Sequence, residues 1–268
     1  MPESDSKELK QVISYMSAHW PSDVKKEWQV NTSDYFQILP KVLADFTKGA
    51  TRTHQFFRIA GLSGSGKTSQ ILPAVEEFCK KSNLSPILVA ARRFVEYHPH
   101  YKEIKNHYGE ENLRQKTDEF STIMLFLTMN ALTKQGYDIV LDVTLLDPSV
   151  EQILIKMLKA GDYNSLLLMI ATSPEVTEHF LGGRGWRHSK ETEQEFIRAT
   201  NKSLEFYADA VPDLRIILWS VYDKLPIYDG KIKDSLSIFQ EYSKKTSLPA
   251  NDDEERRQAK INYLANIK

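Results

Sequence analysis

A single cysteine, Cys79, stands among 268 residues. No internal disulfide can form, and no Cys and His spacing of the zinc-binding kind occurs. Long apolar runs are missing as well. The longest, such as Ser165–Ala171, are far too short to span a bilayer as a helix. Neither sign of charge is in surplus. The net charge is −1, which leaves no global basic field to hold nucleic acid or an anionic membrane. Repeats and low-complexity tracts are absent. Met1–Lys10 is polar and charged where a secretory signal would be apolar. These absences argue against a disulfide-stapled module, a zinc domain and a helical membrane protein, and they fit a reducing cytoplasm. Hydrophobic residues at 41% and charged residues at 26% are enough for one large α/β domain, with or without extensions.

What is present centres on Gly61-Leu62-Ser63-Gly64-Ser65-Gly66-Lys67-Thr68. The stretch fits the phosphate-loop pattern G-x-x-x-x-G-K-[ST] at every defined position. Glycines let backbone N–H groups turn toward phosphates. Lys67 would reach the β and γ phosphates, and Thr68 would offer its hydroxyl to Mg2+. Context decides between this and a flexible Gly/Ser linker. Gln55–Ala60 reads as a strand entering the loop, and Thr68–Lys81 as a helix leaving it, with Pro73 early, where a missing N–H costs least.

Residues 1–50 read as a helical N-terminal extension, 51–232 as the core and 233–268 as C-terminal helices. The extension would hold helices at Ser6–His19 and at Asp34–Phe46, the second interrupted at Pro40. Trp20, Trp28, Tyr35 and Phe36 would anchor it, either on the core or on a partner or substrate. Strands are expected at Pro86–Ala91, Tyr137–Asp142, Leu166–Ala171 and Leu214–Trp219. A small hairpin is expected at Ile227–Ile232. Helices are expected at Glu110–Lys134 in one piece, Pro148–Ala160 stopped by Gly161, Lys190–Ala210, Asp234–Lys245 and Asp253–Ile267, the last loosely docked. The alternation predicts an α/β fold: a mainly parallel five-stranded sheet with helices on both faces, of the P-loop NTPase type. Ligands bind past the C-terminal ends of strands in such sheets.

Three further groups are candidates. Asp142 ends its strand, either as a magnesium ligand or as a cap for the next turn. Gly182-Gly183-Arg184-Gly185-Trp186-Arg187-His188 joins hinge glycines to two arginines, either a lid closing on a triphosphate or a solvated basic turn. Arg92 and Arg93 follow a strand, as an anion clamp or as ion-paired strand-end residues.

With these residues in place, Phe56–Ile232 resembles the zeta-toxin family of P-loop kinases. The family phosphorylates UDP-N-acetylglucosamine with ATP or GTP. The resemblance rests on Gly61–Thr68 followed by Ser69, on Phe94-Val95-Glu96-Tyr97-His98-Pro99, on the run Gly136-Tyr137 through Asp142-Val143-Thr144, on Pro174, and on Arg184 and Arg187. It implies that Lys67, Asp142, Arg184 and Arg187 are catalytic and that Gly61 through Ser69 bind the nucleotide. It also implies that Thr68 and Asp142 hold Mg2+. Acceptor contacts would come from Arg92, Arg93, Glu96, His98 and Thr144, and an antitoxin-like protein is an expected partner. Two departures stand out. Arg92 occupies the position of the family's proposed base, an aspartate, and Phe126 that of a substrate-binding glutamate. Arginine does not give up its proton near neutral pH. Three readings stay open: a kinase with a different small-molecule acceptor, a non-catalytic nucleotide-binding module, and an NTPase without an acceptor.

Overall fold

The computed structural model describes residues 13–14, 24–145, 148–181, 190–249 and 252–267. Along the chain, a 3-10 turn at Lys26–Trp28 precedes α1 (Thr32–Phe46), and β1 (Gln55–Ala60) runs into the glycine loop. A five-residue π turn, Lys67–Ile71, leads into α2 (Leu72–Lys81). Then come β2 (Ile87–Val89), 3-10 turns at Ala91–Arg93 and Val95–Tyr97, α3 (Tyr101–Tyr108), α4 (Glu110–Lys116) and α5 (Asp118–Lys134). β3 (Ile139–Asp142), α6 (Pro148–Ala160), β4 (Asn164–Ala171), α7 (Pro174–Leu181) and α8 (Lys190–Ala210) come next. β5 (Arg215–Ser220), β6 (Tyr228–Lys231), α9 (Leu236–Tyr242) and α10 (Asp253–Leu264) complete the order. Among the described residues no helix is long and apolar enough to cross a membrane.

The six-stranded sheet has the order β2-β3-β1-β4-β5-β6. β1 is parallel to both β3 and β4, and β4 to β5. The chain leaves β1 toward one side and returns to the other at β4, so β1 lies at the switch point where open α/β sheets bind ligands. The register makes Ile59 the Cα partner of Asp142. β3 therefore ends beside the last residues before the glycine loop. At the other end, the buried Asp138 carboxylate accepts hydrogen bonds from Thr51 Oγ1, from Thr53 N–H and Oγ1, and from Gln55 N–H. Burial would raise its pKa, but these donors hold it below the ordinary carboxylate value.

Contacts divide the chain into two compact units. One joins Met1–Ala50 to Val89–Gln135; the other joins Thr51–Leu88 to Gly136–Lys268. In the first, α1 buries Tyr35, Leu39, Val42 and Phe46 along one face. Tyr35 stacks on Phe120 at 5.6 Å and Phe46 on Phe94 at 5.3 Å. Trp28 meets His107 and Tyr108 edge-on. These aromatic pairs draw segment 89–135 to the N-terminal helix, although the sequence boundaries grouped it with the core. In the second unit, Phe57 and Ile59 face a core shared with α2 and Leu264 of α10. Ala60, Leu167 and Met169 face another with Ile155, Leu204 and Tyr207. Alternation along the strands thus feeds two helical layers.

Several expectations are corrected. α1 runs through Pro40 without interruption, held by its buried face. The expected helix Glu110–Lys134 splits at Thr117. That buried hydroxyl donates to the Leu113 carbonyl at 2.9 Å, a back-bond that bends helices. Ile227–Ile232 is no separate hairpin. Tyr228–Lys231 adds a sixth strand antiparallel to β5. α6 ends at Ala160, directly before Gly161 as expected, and the left-handed residue that follows is Asp162, at φ 52°. α10 is docked, burying Arg256, Lys260 and Leu264 at intervals of four. The expected helix Ser6–His19 and Trp20 lie outside the described residues apart from 13–14.

Candidate active site

β1 delivers the loop, and glycine is required where it begins. Gly61 has φ +140°, and a Cβ there would sit 3.0 Å from the Ile170 carbonyl oxygen and 2.9 Å from Ser65 Oγ. Gly66, at φ +94°, turns the chain left-handed just before the helix. The helix then opens with a π turn, in which Leu72 N–H reaches the Lys67 carbonyl. Pro73, in the first turn of α2, has no N–H to offer the Ser69 carbonyl.

Lys67 Nζ donates to the Gly61 and Leu62 carbonyls, each at 2.8 Å. Thr68 Oγ1 donates to Asp142 Oδ2 at 3.4 Å. Thr144 Oγ1 donates to the Gly61 carbonyl at 3.2 Å. The second unit thus gathers Gly61, Leu62, Lys67, Thr68, Asp142 and Thr144 around one loop. Asp142 is buried and Thr68 exposed. Ser63, Gly64 and Ser69 complete the stretch.

The loop suits a phosphate group. Ser65 is 2% exposed, and its hydroxyl has no hydrogen-bond partner among the described residues, an arrangement that costs free energy unless something supplies one. Magnesium fits the same corner. The Thr68 hydroxyl and the Asp142 carboxylate converge as two hard oxygen donors. Among the described residues no group of three or more His, Cys, Asp or Glu could hold a metal alone. Magnesium commonly takes one or two side chains and completes its shell with phosphate and water.

Of the expected acceptor residues, Arg92, Arg93, Glu96 and His98 belong to the first unit and Thr144 to the second. Arg92, Arg93 and Glu96 are exposed on the 3-10 turns. The Arg93 guanidinium lies 4.2 Å from the Phe46 ring centroid. Partial desolvation of the guanidinium holds its pKa below the ordinary value, opposed by Tyr97 and reinforced by the Arg92 charge. His98 is buried, and its ring meets Phe120 edge-on at 4.8 Å. Its Nδ1 accepts the His100 N–H at 3.1 Å, so a neutral ring carries its proton on Nε2. Burial, followed by His100, pushes its pKa down to about 4. Phe126, in the position of the family's glutamate, is also buried. Arg184 and Arg187 lie outside the described residues.

Two networks are not evident from the sequence. Arg58, in the middle of β1, is fully buried and ion-pairs with Glu151 of α6. Its Nη2 lies 2.8 Å from Glu151 Oε1, and its Nη1 also contacts Glu151 Oε2. Tyr207 OH of α8 donates to Glu151 Oε2 at 2.8 Å and accepts from Arg58 Nη1 at 3.1 Å. Arg58 Nη2 also donates to the Thr144 carbonyl at 3.3 Å. Burial would lower the arginine pKa, but the charge of Glu151 holds it above the ordinary value. Burial and the same carboxylate push the Tyr207 phenol up. The second network ties α10 to the loop helix. Gln70 Nε2 donates to Asp253 Oδ1 at 3.2 Å, and Arg256 pairs with Asp253 at 2.6 Å and with Asp252. Helical spacing carried a signal for the first network, because Glu151 shares a face with Leu154, Ile155 and Leu158.

Comparison with known proteins gives the family and the fold. The family model described as Zeta toxin matches residues 47–231. Toxin PezT of Streptococcus pneumoniae serotype 4 (strain ATCC BAA-334 / TIGR4) is 28% identical over 147 residues, 54% of this chain and 56% of PezT. The matched segment therefore spans little more than half of that relative. A structure from the PezAT chromosomal toxin-antitoxin system of Streptococcus pneumoniae aligns with TM-score 0.64 and 21% identity, covering 91% of this chain and all of that one. The AvrRxo1-ORF1:-ORF2 structure with ATP aligns with TM-score 0.51 and 11% identity, covering 88% and 89%. At these identities the structural matches speak to the fold.

Proposed function

Because the chain belongs to the zeta-toxin family, we propose that it is a nucleoside-triphosphate-dependent phosphotransferase acting on a hydroxyl of a small molecule. The observation that carries this reading is the meeting of Lys67, Thr68 and Asp142 around one glycine loop. Lys67 binds the β and γ phosphates of ATP or GTP. Thr68 and Asp142 hold Mg2+, which would neutralise charge on the phosphate oxygens. Arg184 and Arg187, from the sequence correspondence, stabilise charge on the transferring group.

The acceptor is the divergent half. Arg92 cannot remove a proton from a sugar hydroxyl, and buried Phe126 cannot accept its hydrogen bond. Phosphoryl transfer depends mainly on positioning and charge stabilisation, so a strong base is not required. Asp142 or Glu96 would orient the hydroxyl. On the sequence correspondence, Arg92 and Arg93 would recognise an anionic acceptor, a phosphorylated sugar or a nucleotide sugar other than the family's usual one. His98, with its ring buried and Nδ1 engaged, suits a supporting role better than direct contact. An antitoxin-like protein is the proposed partner, by analogy with the toxin-antitoxin system of the structural relative.

The test uses the purified chain with γ-labelled ATP, Mg2+, UDP-N-acetylglucosamine and, separately, a metabolite extract. Label in a small molecule from the extract, with none in UDP-N-acetylglucosamine, is the expected result. ATP-dependent stabilisation without labelling would favour a non-catalytic module instead. ATP consumption without an acceptor would favour an NTPase.

A further inference from the structure

The Gly61 carbonyl accepts two hydrogen bonds, from Lys67 Nζ at 2.8 Å and from Thr144 Oγ1 at 3.2 Å. The Leu62 carbonyl is doubly served as well, by Lys67 Nζ at 2.8 Å and by the Ser65 N–H at 3.2 Å. An ammonium has three donors. Reaching both the β and γ phosphates takes two of them, so at least one carbonyl must give up its lysine proton when a triphosphate binds. A buried carbonyl left without a donor costs free energy. Gly61 and Leu62 are both buried, and each keeps a second donor.

We propose that Thr144 is a positioning residue whose hydroxyl retains the Gly61 carbonyl when Lys67 moves to the phosphates, and that the buried Arg58–Glu151–Tyr207 network holds Thr144 in place for this exchange. The family resemblance makes Thr144 an acceptor contact, whereas the geometry gives it a role on the nucleotide side. Its backbone is fixed from behind. Arg58 Nη2 donates to the Thr144 carbonyl at 3.3 Å, and Arg58 is itself clamped by Glu151 and Tyr207. The network joins β1, α6 and α8, so the segment following β3 is anchored to three elements of one unit. The side chain can therefore present its hydroxyl to the loop without freezing flexible backbone at the moment of binding.

This inference rests on the reading of Gly61–Thr68 as a triphosphate site. The test measures binding of a non-hydrolysable ATP analogue with Mg2+ to the full chain, by calorimetry or, where binding is weak, by thermal shift at millimolar analogue. Thr144→Val keeps the shape and removes the hydroxyl. It should weaken binding by about threefold to tenfold, the effect of one modest hydrogen bond. Thr144→Ser should bind within about twofold of the wild type. In a Lys67→Ala background, Thr144→Val should have almost no further effect, because no lysine leaves Gly61. Tyr207→Phe, which spares the loop, should weaken binding in the same direction and provides the test if Thr144→Val does not fold. The proposal is overturned if Thr144→Val, or Tyr207→Phe in its place, binds like the wild type. It is also overturned if Thr144→Ser is as weak as Thr144→Val, or if the loss persists undiminished without Lys67. Wild-type protein that binds no analogue would overturn both readings; binding that depends on Lys67 but not on Thr144 would overturn this one alone.

Discussion

Thr68 Oγ1 points at Asp142 Oδ2 across 3.4 Å, although 74 residues separate them in the chain. Parallel pairing of β1 with β3, with Ile59 opposite Asp142, brings this about. A hydroxyl and a carboxylate so placed can share one magnesium ion with the phosphates of a nucleotide. Asp142→Asn keeps the shape and removes the charge. Turnover should fall about 100-fold or more, while binding of the ATP analogue changes by less than about fivefold. Steady-state kinetics beside calorimetry would check this, and unchanged turnover would remove Asp142 from the mechanism.

The buried ion pair Arg58–Glu151 gives a stability prediction with an internal control. Glu151→Leu strands a guanidinium in the core and should cost about 3–5 kcal/mol in denaturant unfolding. Adding Arg58→Met should restore at least half of that loss, since a buried pair is often replaceable by apolar side chains. A double variant no more stable than Glu151→Leu would mean that the pair does more than compensate its own burial.

Lys260 is fully buried on α10, with Nζ 3.4 Å from the Asp223 carbonyl. Burial, reinforced by the Arg256 charge, lowers its pKa to about 8 from an ordinary 10.5. The folded chain therefore binds its proton less tightly than the unfolded chain does, and stability rises with pH between these values. Lys260→Met should raise stability near pH 7 by about 1–2 kcal/mol, the relieved charge burial outweighing the lost hydrogen bond. It should also flatten the rise between pH 8 and 10.5. Urea titrations across that range would decide, and a destabilised variant that kept the alkaline rise would refute the assignment.

In the first unit, His98 behaves in the same sense at lower pH. Its folded pKa of about 4 lies below the ordinary 6.5. Its stabilising contribution is complete above about pH 6.5 and is lost as the pH falls toward 4. Between pH 7 and 4.5 this amounts to about 2–3 kcal/mol. His98→Gln should be less stable than the wild type at pH 7 yet lose less on acidification. Parallel acid profiles for the two proteins would show that His98 does not titrate as described.

Much of this architecture was legible in the chain. Gly61–Thr68 is covalently contiguous, so its spacing survives without knowledge of the fold. The run Tyr137–Asp142 marks a buried strand ending in an acid, and the alternation of strands and helices gives the parallel sheet. The contact between Thr144 and Gly61 was not legible, because it depends on strand register rather than on local pattern.

Charged residues inside the core were the main blind spot. Arg58 interrupts the apolar strand Gln55–Ala60, and a buried arginine demands a partner. That partner, Glu151, comes from a helix far along the sequence. α10 misled for the opposite reason. Arg256 and Lys260 recur with helical spacing ahead of Leu264, so its buried face is charged and its pattern reads as solvated. The split of the helix at Thr117, where a buried hydroxyl bonds the Leu113 carbonyl, is a local detail that propensity does not carry.

Lys67 is the side chain on which the triphosphate site depends most directly. Calorimetric titration of a non-hydrolysable ATP analogue with Mg2+ into the wild type and Lys67→Ala measures that dependence. Saturable one-to-one binding by the wild type, weakened about 100-fold or more in Lys67→Ala, is the expected result. Equal binding by the two proteins, or no binding by the wild type, would contradict the assignment of Gly61–Thr68 as the triphosphate site.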